Sequence, residues 1–300
     1  MSFQIHHLLI AGGTHGDEWT GVKLIHAFLK KPDAFLGRTF RTSALISNPE
    51  AFKEQKRYLD RDLNRSFQKE LLTDLSVSDR EVQLARNLLA TYGPDGTDPA
   101  DFVMDLHTTT AATGPCLILS HPSLINLHFA CFLSEAIPNL KVALWNGDRK
   151  TGFLKDALPN GVTFEIGPIA QRTWNAEIYF TTQSAVLAAL DFFTVWNAHP
   201  EHFTDKSLEI FEPYQTVMYP LDANGELGAM IHPALDGKDF SLFSGALQAF
   251  MEPSGNVITL PLDGPSYPMF VGEASYYEKN VAFYLMKKRK MSLANHPNWT

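Results

Sequence analysis

The sequence predicts an α/β fold: a mixed sheet flanked by helices, followed by a smaller, mainly β C-terminal domain. Three observations carry this. Residues 6–11 (HHLLIA) are a short apolar run that stops at Gly12-Gly13 and gives way to a helical pattern from Gly21 to Lys30. Residues 101–106 (DFVMDL) are another such run, ending on His107. After about Pro200, helical periodicity yields to short β-like runs separated by Gly, Pro, Asp and Asn.

Each element follows in order. Strand, glycine turn and helix form the unit of an α/β sheet, which puts functional side chains at strand carboxyl ends. Val22, Leu24, Ile25, Phe28 and Leu29 supply the apolar stripe of the first helix. Arg41–Ser47 reads as a strand closed by Asn48-Pro49. Ser78–Tyr92 reads as a helix on Val82, Leu84, Ala85, Leu88 and Leu89, with Ser78 and Glu81 as a capping box. PDGTDP is a loop. LHFACFLSEAI reads as a buried helix, residues 115–119, 142–145 and 161–166 as strands, and Gln183–Phe193 as a helix. The later β runs are SLEIFEPY, TVMYPL, GAMIHP, NVITLPL and YPMFVG, and residues 274–287 are placed to reach a shared site. The division expected is 1–203 for a catalytic α/β domain and 204–300 for a β-rich domain. The basic run KKRK at 287–290 reads as a solvated helix end.

Composition excludes several classes. With 45% apolar and 19% charged residues the chain is an ordinary globular protein. A net charge of −8 argues against a nucleic-acid or anionic-membrane binder, so an anionic substrate needs a local cationic pocket. Cys116 and Cys131 have no C-x-x-C spacing and read as buried free thiols. The start lacks a basic region and a long apolar core, and no stretch reaches the ~18 apolar residues of a membrane span. A cytoplasmic location is the expectation.

Five segments carry chemistry. GGTHGDEWTG holds His15 and Glu18, two ligand-type side chains three residues apart in a glycine-rich turn after a strand. DLHTTT ends a strand on His107. Two imidazoles and one carboxylate suit a zinc ion and leave a fourth position open, as catalytic zinc sites do. Asp105 backs His107 only if strand alternation continues through it. RYLDRDLNRSF carries Arg57, Arg61, Asn64 and Arg65. It is either a solvated segment with internal Arg–Asp pairs or a planar clamp for a carboxylate. GVTFEIGP buries Glu165 in an apolar strand, as the partner of a buried arginine or as a general base. EASYYEK, from Glu273 to Lys279, offers Tyr276 and Tyr277 as core or pocket residues.

These blocks, together with Asn48-Pro49 and YPMFVGEASYYEKNVAF, occur in the order seen in aspartoacylases and related zinc-carboxypeptidase-like acylases. The resemblance runs from about residue 7 to 285. It implies a zinc-carboxypeptidase-like α/β domain, one zinc ion per chain, and His15, Glu18 and His107 as its ligands. It further implies that Glu165 activates water and that Arg57 polarises the acyl carbonyl. Asn64 and Arg65 would grip a carboxylate of the amino-acid portion, with Tyr276 and Lys279 reaching into the pocket. Two departures stand out. Thr108 takes the place of a common Asn, and the family arginine about ten residues before the general base has no ungapped match in WNGDRKTGFLKD. Arg149 and Lys155 are the two candidates for its role.

The function expected is hydrolysis of an N-acyl-L-aspartate, N-acetylaspartate giving aspartate and acetate. The alternatives are succinylglutamate desuccinylation, deacylation of other N-acyl amino acids, and cleavage of a peptide carboxyl terminus. A non-catalytic anion-binding protein is the reading from another class, and zinc content separates it. The expected partner is a small-molecule substrate, with no nucleic acid or membrane; a homo-oligomer is left open.

Overall fold

Leu8, Leu9, Ile10 and Ala11 are all fully buried, as a central strand flanked by parallel neighbours requires. They form β1 (His7–Gly12) in the computed structural model, which describes residues 4–35, 38–145, 152–199 and 206–293. The chain continues through α1 (Trp19–Lys30), β2 (Arg41–Ile46), α2 (Pro49–Lys53), α3 (Lys69–Thr73) and α4 (Arg80–Tyr92). Next come β3 (Phe102–Thr108), β4 (Gly114–Leu119), α5 (Leu124–Ala136), β5 (Lys141–Leu144), α6 (Leu154–Ala157), β6 (Gly161–Gly167) and α7 (Ala176–Ala198). The C-terminal part adds β7 (Ser207–Met218), β8 (Met230–Ile231), β9 (Ala246–Met251), β10 (Val257–Pro261), β11 (Tyr267–Met269) and β12 (Val281–Ser292).

Among the described residues the large sheet has nine strands in the order β11-β12-β7-β5-β4-β6-β3-β1-β2, and β10-β9-β8 form a separate small sheet. β2, β1, β3 and β6 run parallel, β4 turns antiparallel to β6, and β5 and β7 run parallel to β4. The expected mixed α/β sheet with a mainly β C-terminal part is therefore present. Strands β7, β11 and β12 of the C-terminal part extend the large sheet itself. The expected boundary at 203/204 lies outside the described residues.

The main core lies between the sheet and helices α1, α5 and α7, around Phe102, Phe129, Phe192 and Phe193. Phe102 meets Phe193 at 4.8 Å and Phe129 at 5.0 Å. Among the described residues α7 is the one helix long and apolar enough to cross a bilayer, so the expectation that no stretch qualifies is corrected. Its Ala185, Val186, Ala189, Leu190, Phe192 and Phe193 are instead fully buried against the protein core. Cys116 and Cys131 are free and buried.

Two local expectations are corrected. KKRK is not a helix end: it lies in β12, where Lys288 pairs with Glu209 at 3.0 Å and Arg289 with Glu212 at 2.6 Å across to β7. Periodicity misses this strand because its outer half is solvated and charged. Ser78 with Glu81 is not a capping box either, since α4 starts at Arg80 with Asp79 at its cap. Glu81 is fully buried and accepts hydrogen bonds from the backbone N–H groups of Leu59, Asp60 and Arg61 and from Asn48 Nδ2.

Candidate active site

The site grows from the carboxyl ends of β1, β3 and β6. After β1 the chain must turn sharply into α1. Gly13 takes φ +69°, and a side chain at Gly16 would strike the backbone of Ala51 at 2.2 Å. This turn brings His15 and Glu18 to face His107 at the end of β3. Each of the three residues has a ligand atom within 4.8 Å of those of the others. His15 Nδ1 lies 2.6 Å from Glu18 Oε1, and His107 Nδ1 lies 3.0 Å from Glu18 Oε2 and 3.1 Å from His15 Nδ1.

Both imidazoles point Nδ1 inward and Nε2 outward to a carboxylate. His15 Nε2 is 3.0 Å from Asp62 Oδ1, and His107 Nε2 is 2.8 Å from Asp105 Oδ2. Strand alternation puts Asp105 on the face of His107, the arrangement left conditional in the sequence. Asp105 is fixed in turn by Thr14 Oγ1 at 2.7 Å and Asn64 Nδ2 at 3.4 Å. Outward carboxylates orient a histidine and make it a better metal ligand.

The electrostatics show a site that attracts positive charge. Burial opposes ionisation of Glu18, yet His15 and His107 outweigh it and hold the carboxyl well below its ordinary value. Burial likewise opposes a charged His107, and Asp105 and Glu18 outweigh it, so its pKa is raised well above the usual value. The donor set therefore fits a divalent cation. Two imidazole nitrogens and a carboxylate converge, carboxylates back both rings, and the cluster draws a proton onto His107 where a cation would supply the charge.

Glu165 stands on β6 in register with His107 of β3. It is buried, and its Oε1 has no hydrogen-bond partner among the described residues. Burial and the nearby Glu18 push its pKa well above the carboxylate range. Arg57 sends Nη1 to Glu18 Oε1 at 3.2 Å and Nη2 to within 3.0 Å of His15 Nε2. Burial opposes its charge, while Glu18 and Asp62 reinforce it and raise its pKa. Arg61 turns away from the site, pairing with Asp79 at 2.7 Å.

These groups line a cavity of about 310 Å³. Arg65 lies on its wall, with its guanidinium 4.4 Å from the Phe153 ring centre. Asn64 also lines it, but its amide is engaged: Nδ2 faces His107 and Asp105, and Oδ1 accepts from Leu154 N at 2.9 Å. Lys155 is a buried lining cation, 3.9 Å over the Phe153 ring and 3.5 Å from Asp156. Burial lowers its pKa to about 8. Tyr276 lines the cavity, and Lys279, exposed on the 3-10 turn Ala274–Lys279, is not among the lining residues. Arg149 lies outside the described residues.

Sequence reasoning missed several participants. Asp62 lies in the same segment as Asn64, where its spacing gives it no role; as the cap of the short turn Leu63–Arg65 it also accepts from Asn64 N at 2.8 Å. Glu273, buried, accepts from Thr109 Oγ1, from Thr110 N and Oγ1 at 2.8 Å each, and from Ala111 N at 3.3 Å. It ties the C-terminal part to the loop after His107. Trp145, Phe153, Phe270 and Tyr284 give the cavity an aromatic wall; the first three lie inside WNGDRKTGFLKD and YPMFVG, but nothing in those segments singles them out.

An α/β fold with convergent His, Glu and His at strand ends beside a buried glutamate defines a candidate hydrolase of the metal-site class. The family follows from comparison. The catalytic-domain model of succinylglutamate desuccinylase/aspartoacylase matches residues 4–193, and the AstE/AspA barrel-sandwich hybrid domain matches residues 206–288. The chain belongs to this family of hydrolases. It is 36% identical to a probable aspartoacylase of Trichodesmium erythraeum, over 96% of this chain and 99% of that protein. It is 34% identical to the N-acyl-aromatic-L-amino acid amidohydrolase (carboxylate-forming) of Rattus norvegicus, over 97% of this chain and 93% of that one. The crystal structure of murine aminoacylase 3 superposes with a TM-score of 0.91 at 31% identity, covering 98% of each chain.

Proposed function

We propose that this protein is a zinc-dependent amidohydrolase of N-acyl-L-amino acids, with N-acyl-L-aspartate as the leading substrate. The observation that carries the reaction is the convergence of His15, Glu18 and His107 beside the unpartnered carboxyl oxygen of Glu165. Zinc bound by these three residues would supply Lewis-acid charge and lower the pKa of water from ~15.7 towards ~7. Glu165 takes a proton from the attacking water and returns it to the leaving amine. Arg57 sets a fixed positive charge where the carbonyl oxygen becomes anionic, an effect commonly worth about 3 kcal/mol. Arg65 binds the substrate carboxylate, and Asn64 holds His107 and the start of α6 in place. Buried Lys155 supports the aspartate assignment, because it offers a cation to a side-chain carboxylate inside the cavity.

A second reading has its own observation. The aromatic lining of Trp145, Phe153, Phe270, Tyr276 and Tyr284 suits an N-acyl aromatic amino acid, the class named for the rat relative. A panel assay of the zinc-loaded protein on N-acetylaspartate, N-succinylglutamate and N-acetylphenylalanine decides between them. Glu165→Gln should keep one zinc per chain and lose at least a hundredfold in kcat. Near-normal turnover of that variant would reject the assignment of the base.

A further inference from the structure

Asp239 takes no part in the chemistry above, yet its carboxyl is buried where the C-terminal part meets the cavity wall. Its Oδ1 accepts from Val271 N at 3.2 Å, and the backbone N–H groups of Phe270 and Ala112 also face it. Oδ2 is buried with no hydrogen-bond partner among the described residues. The segment it holds is unusual. Phe270 has φ +58°, a left-handed conformation that a bulky side chain keeps only when its surroundings impose it.

The Phe270 ring lines the cavity and begins a chain of edge-on aromatic contacts. It meets Tyr276 at 5.5 Å, Tyr276 meets Tyr284 at 5.8 Å, and Tyr284 meets Trp145 at 4.8 Å. Asp239 thus accepts from the amide that follows Phe270, and the amide of Phe270 itself faces the same carboxyl. Ala112 lies in the loop that Glu273 anchors after His107, so the same carboxyl joins the wall to the metal-site side of the cavity.

We propose that Asp239 is a positioning residue: it holds Phe270 in the left-handed conformation and so sets the distance of the aromatic wall from the reacting groups. The proposal rests on the hydrolytic reading for its kinetic test and on backbone geometry alone for its structural one. Because the wall lines the cavity while His15, Glu18, His107, Glu165 and Arg57 sit on other elements, its loss should appear in KM and spare kcat.

The experiment compares zinc-loaded wild type, Asp239→Asn and Asp239→Ala. Asparagine retains an acceptor of the same shape, so Asp239→Asn should stay within about threefold of wild type in both constants. Asp239→Ala should raise KM about tenfold or more, with kcat within about threefold and one zinc per chain. Combined with Phe270→Ala it should add little, since both remove the same wall. Unchanged KM in Asp239→Ala, a fall in kcat alone, or an asparagine variant as impaired as alanine would each overturn the proposal. Should Asp239→Ala not fold, Asp239→Ser, whose single short oxygen cannot reach both amides, is read by the same criteria. A crystal structure of the alanine or serine variant gives a readout independent of activity. Phe270 should leave the left-handed region, and Phe270 unmoved would refute the idea. A wild-type protein without amidase activity would count against the hydrolytic reading, while the Phe270 geometry would still judge Asp239.

Discussion

Replacing Glu81 by glutamine perturbs the loop of residues 59–61, between Arg57 and Asp62, without touching the cavity. Oε1 accepts from Leu59 N at 2.7 Å and Asn48 Nδ2 at 3.2 Å; Oε2 accepts from Asp60 N at 3.0 Å and Arg61 N at 3.1 Å. Glutamine can satisfy one pair only, and its amide NH₂ then faces the donors of the other. Hydrogen bonds to a charged group contribute about 1.5–3 kcal/mol each, so two lost bonds amount to about 3–6 kcal/mol. Asp60 and Arg61 are exposed, which lets water replace part of this and favours the lower end, about 3 kcal/mol. Against a typical folding stability of about 5–15 kcal/mol that is a large fraction. Arg57 precedes this loop and Asp62 follows it, so the slack reaches the contact of Arg57 with Glu18 and the support of His15 together. Urea denaturation should show the stability loss, and kcat/KM should fall at least tenfold. A Glu81→Gln protein within about 0.5 kcal/mol of wild type and with normal kcat/KM would refute the reasoning.

Other predictions follow from the same geometry. Asp105→Ala removes the carboxylate behind His107 and should weaken zinc affinity about 10–100-fold, measured by competition with a chelator. Dialysis against a chelator should abolish activity, and added zinc should restore it. Lys155, with its pKa lowered to about 8, is a cation below that pH and neutral above it. If it binds a side-chain carboxylate, KM for N-acetylaspartate should rise as pH passes 8, whereas KM for N-acetylphenylalanine should stay level. Lys155→Met should raise the aspartate KM at pH 7 and remove that pH dependence; an unchanged profile would exclude Lys155 from the subsite.

What the sequence made legible was local. His15 and Glu18 stood out because a breaker pair follows an apolar strand, and His107 and Glu165 because each is a polar residue within an apolar run. Those patterns are created by neighbours in the chain. The carboxylates that complete the arrangement act at long range. Asp62 reaches His15 across 47 residues, and Glu273 reaches Thr109 across 164. Seen in sequence, each is one acidic residue among many. Glu81 is the sharpest case. Its position three residues after Ser78 imitates a helix cap, and only the folding of residues 59–61 onto α4 reveals its real partners. Similarly, β12 escaped notice because the alternation that marks a strand is masked where Lys288 and Arg289 pair with the charges of β7.

The acidic balance of the chain acquires a meaning at the site itself. Glu18, Asp62, Asp105, Glu165 and Glu273 gather around a cavity whose cationic lining, among the described residues, includes Arg57, Arg65 and Lys155. The buried cluster responds in two ways: Asp105 and Glu18 give His107 a greater affinity for a proton, and burial, with Glu18 nearby, makes Glu165 resist losing one. Both responses lessen negative charge where solvent cannot screen it. A divalent cation at His15, Glu18 and His107 would do the same work more completely. It would leave both imidazoles neutral as ligands and lower the pKa of Glu165 towards the range of a base active near neutrality. The raised pKa of Glu165 is thus the counterpart of the proposed metal site, and the two assignments stand or fall together. A bell-shaped pH profile whose acidic limb disappears with Glu165→Gln, in a protein that still holds zinc, is the behaviour this coupling requires.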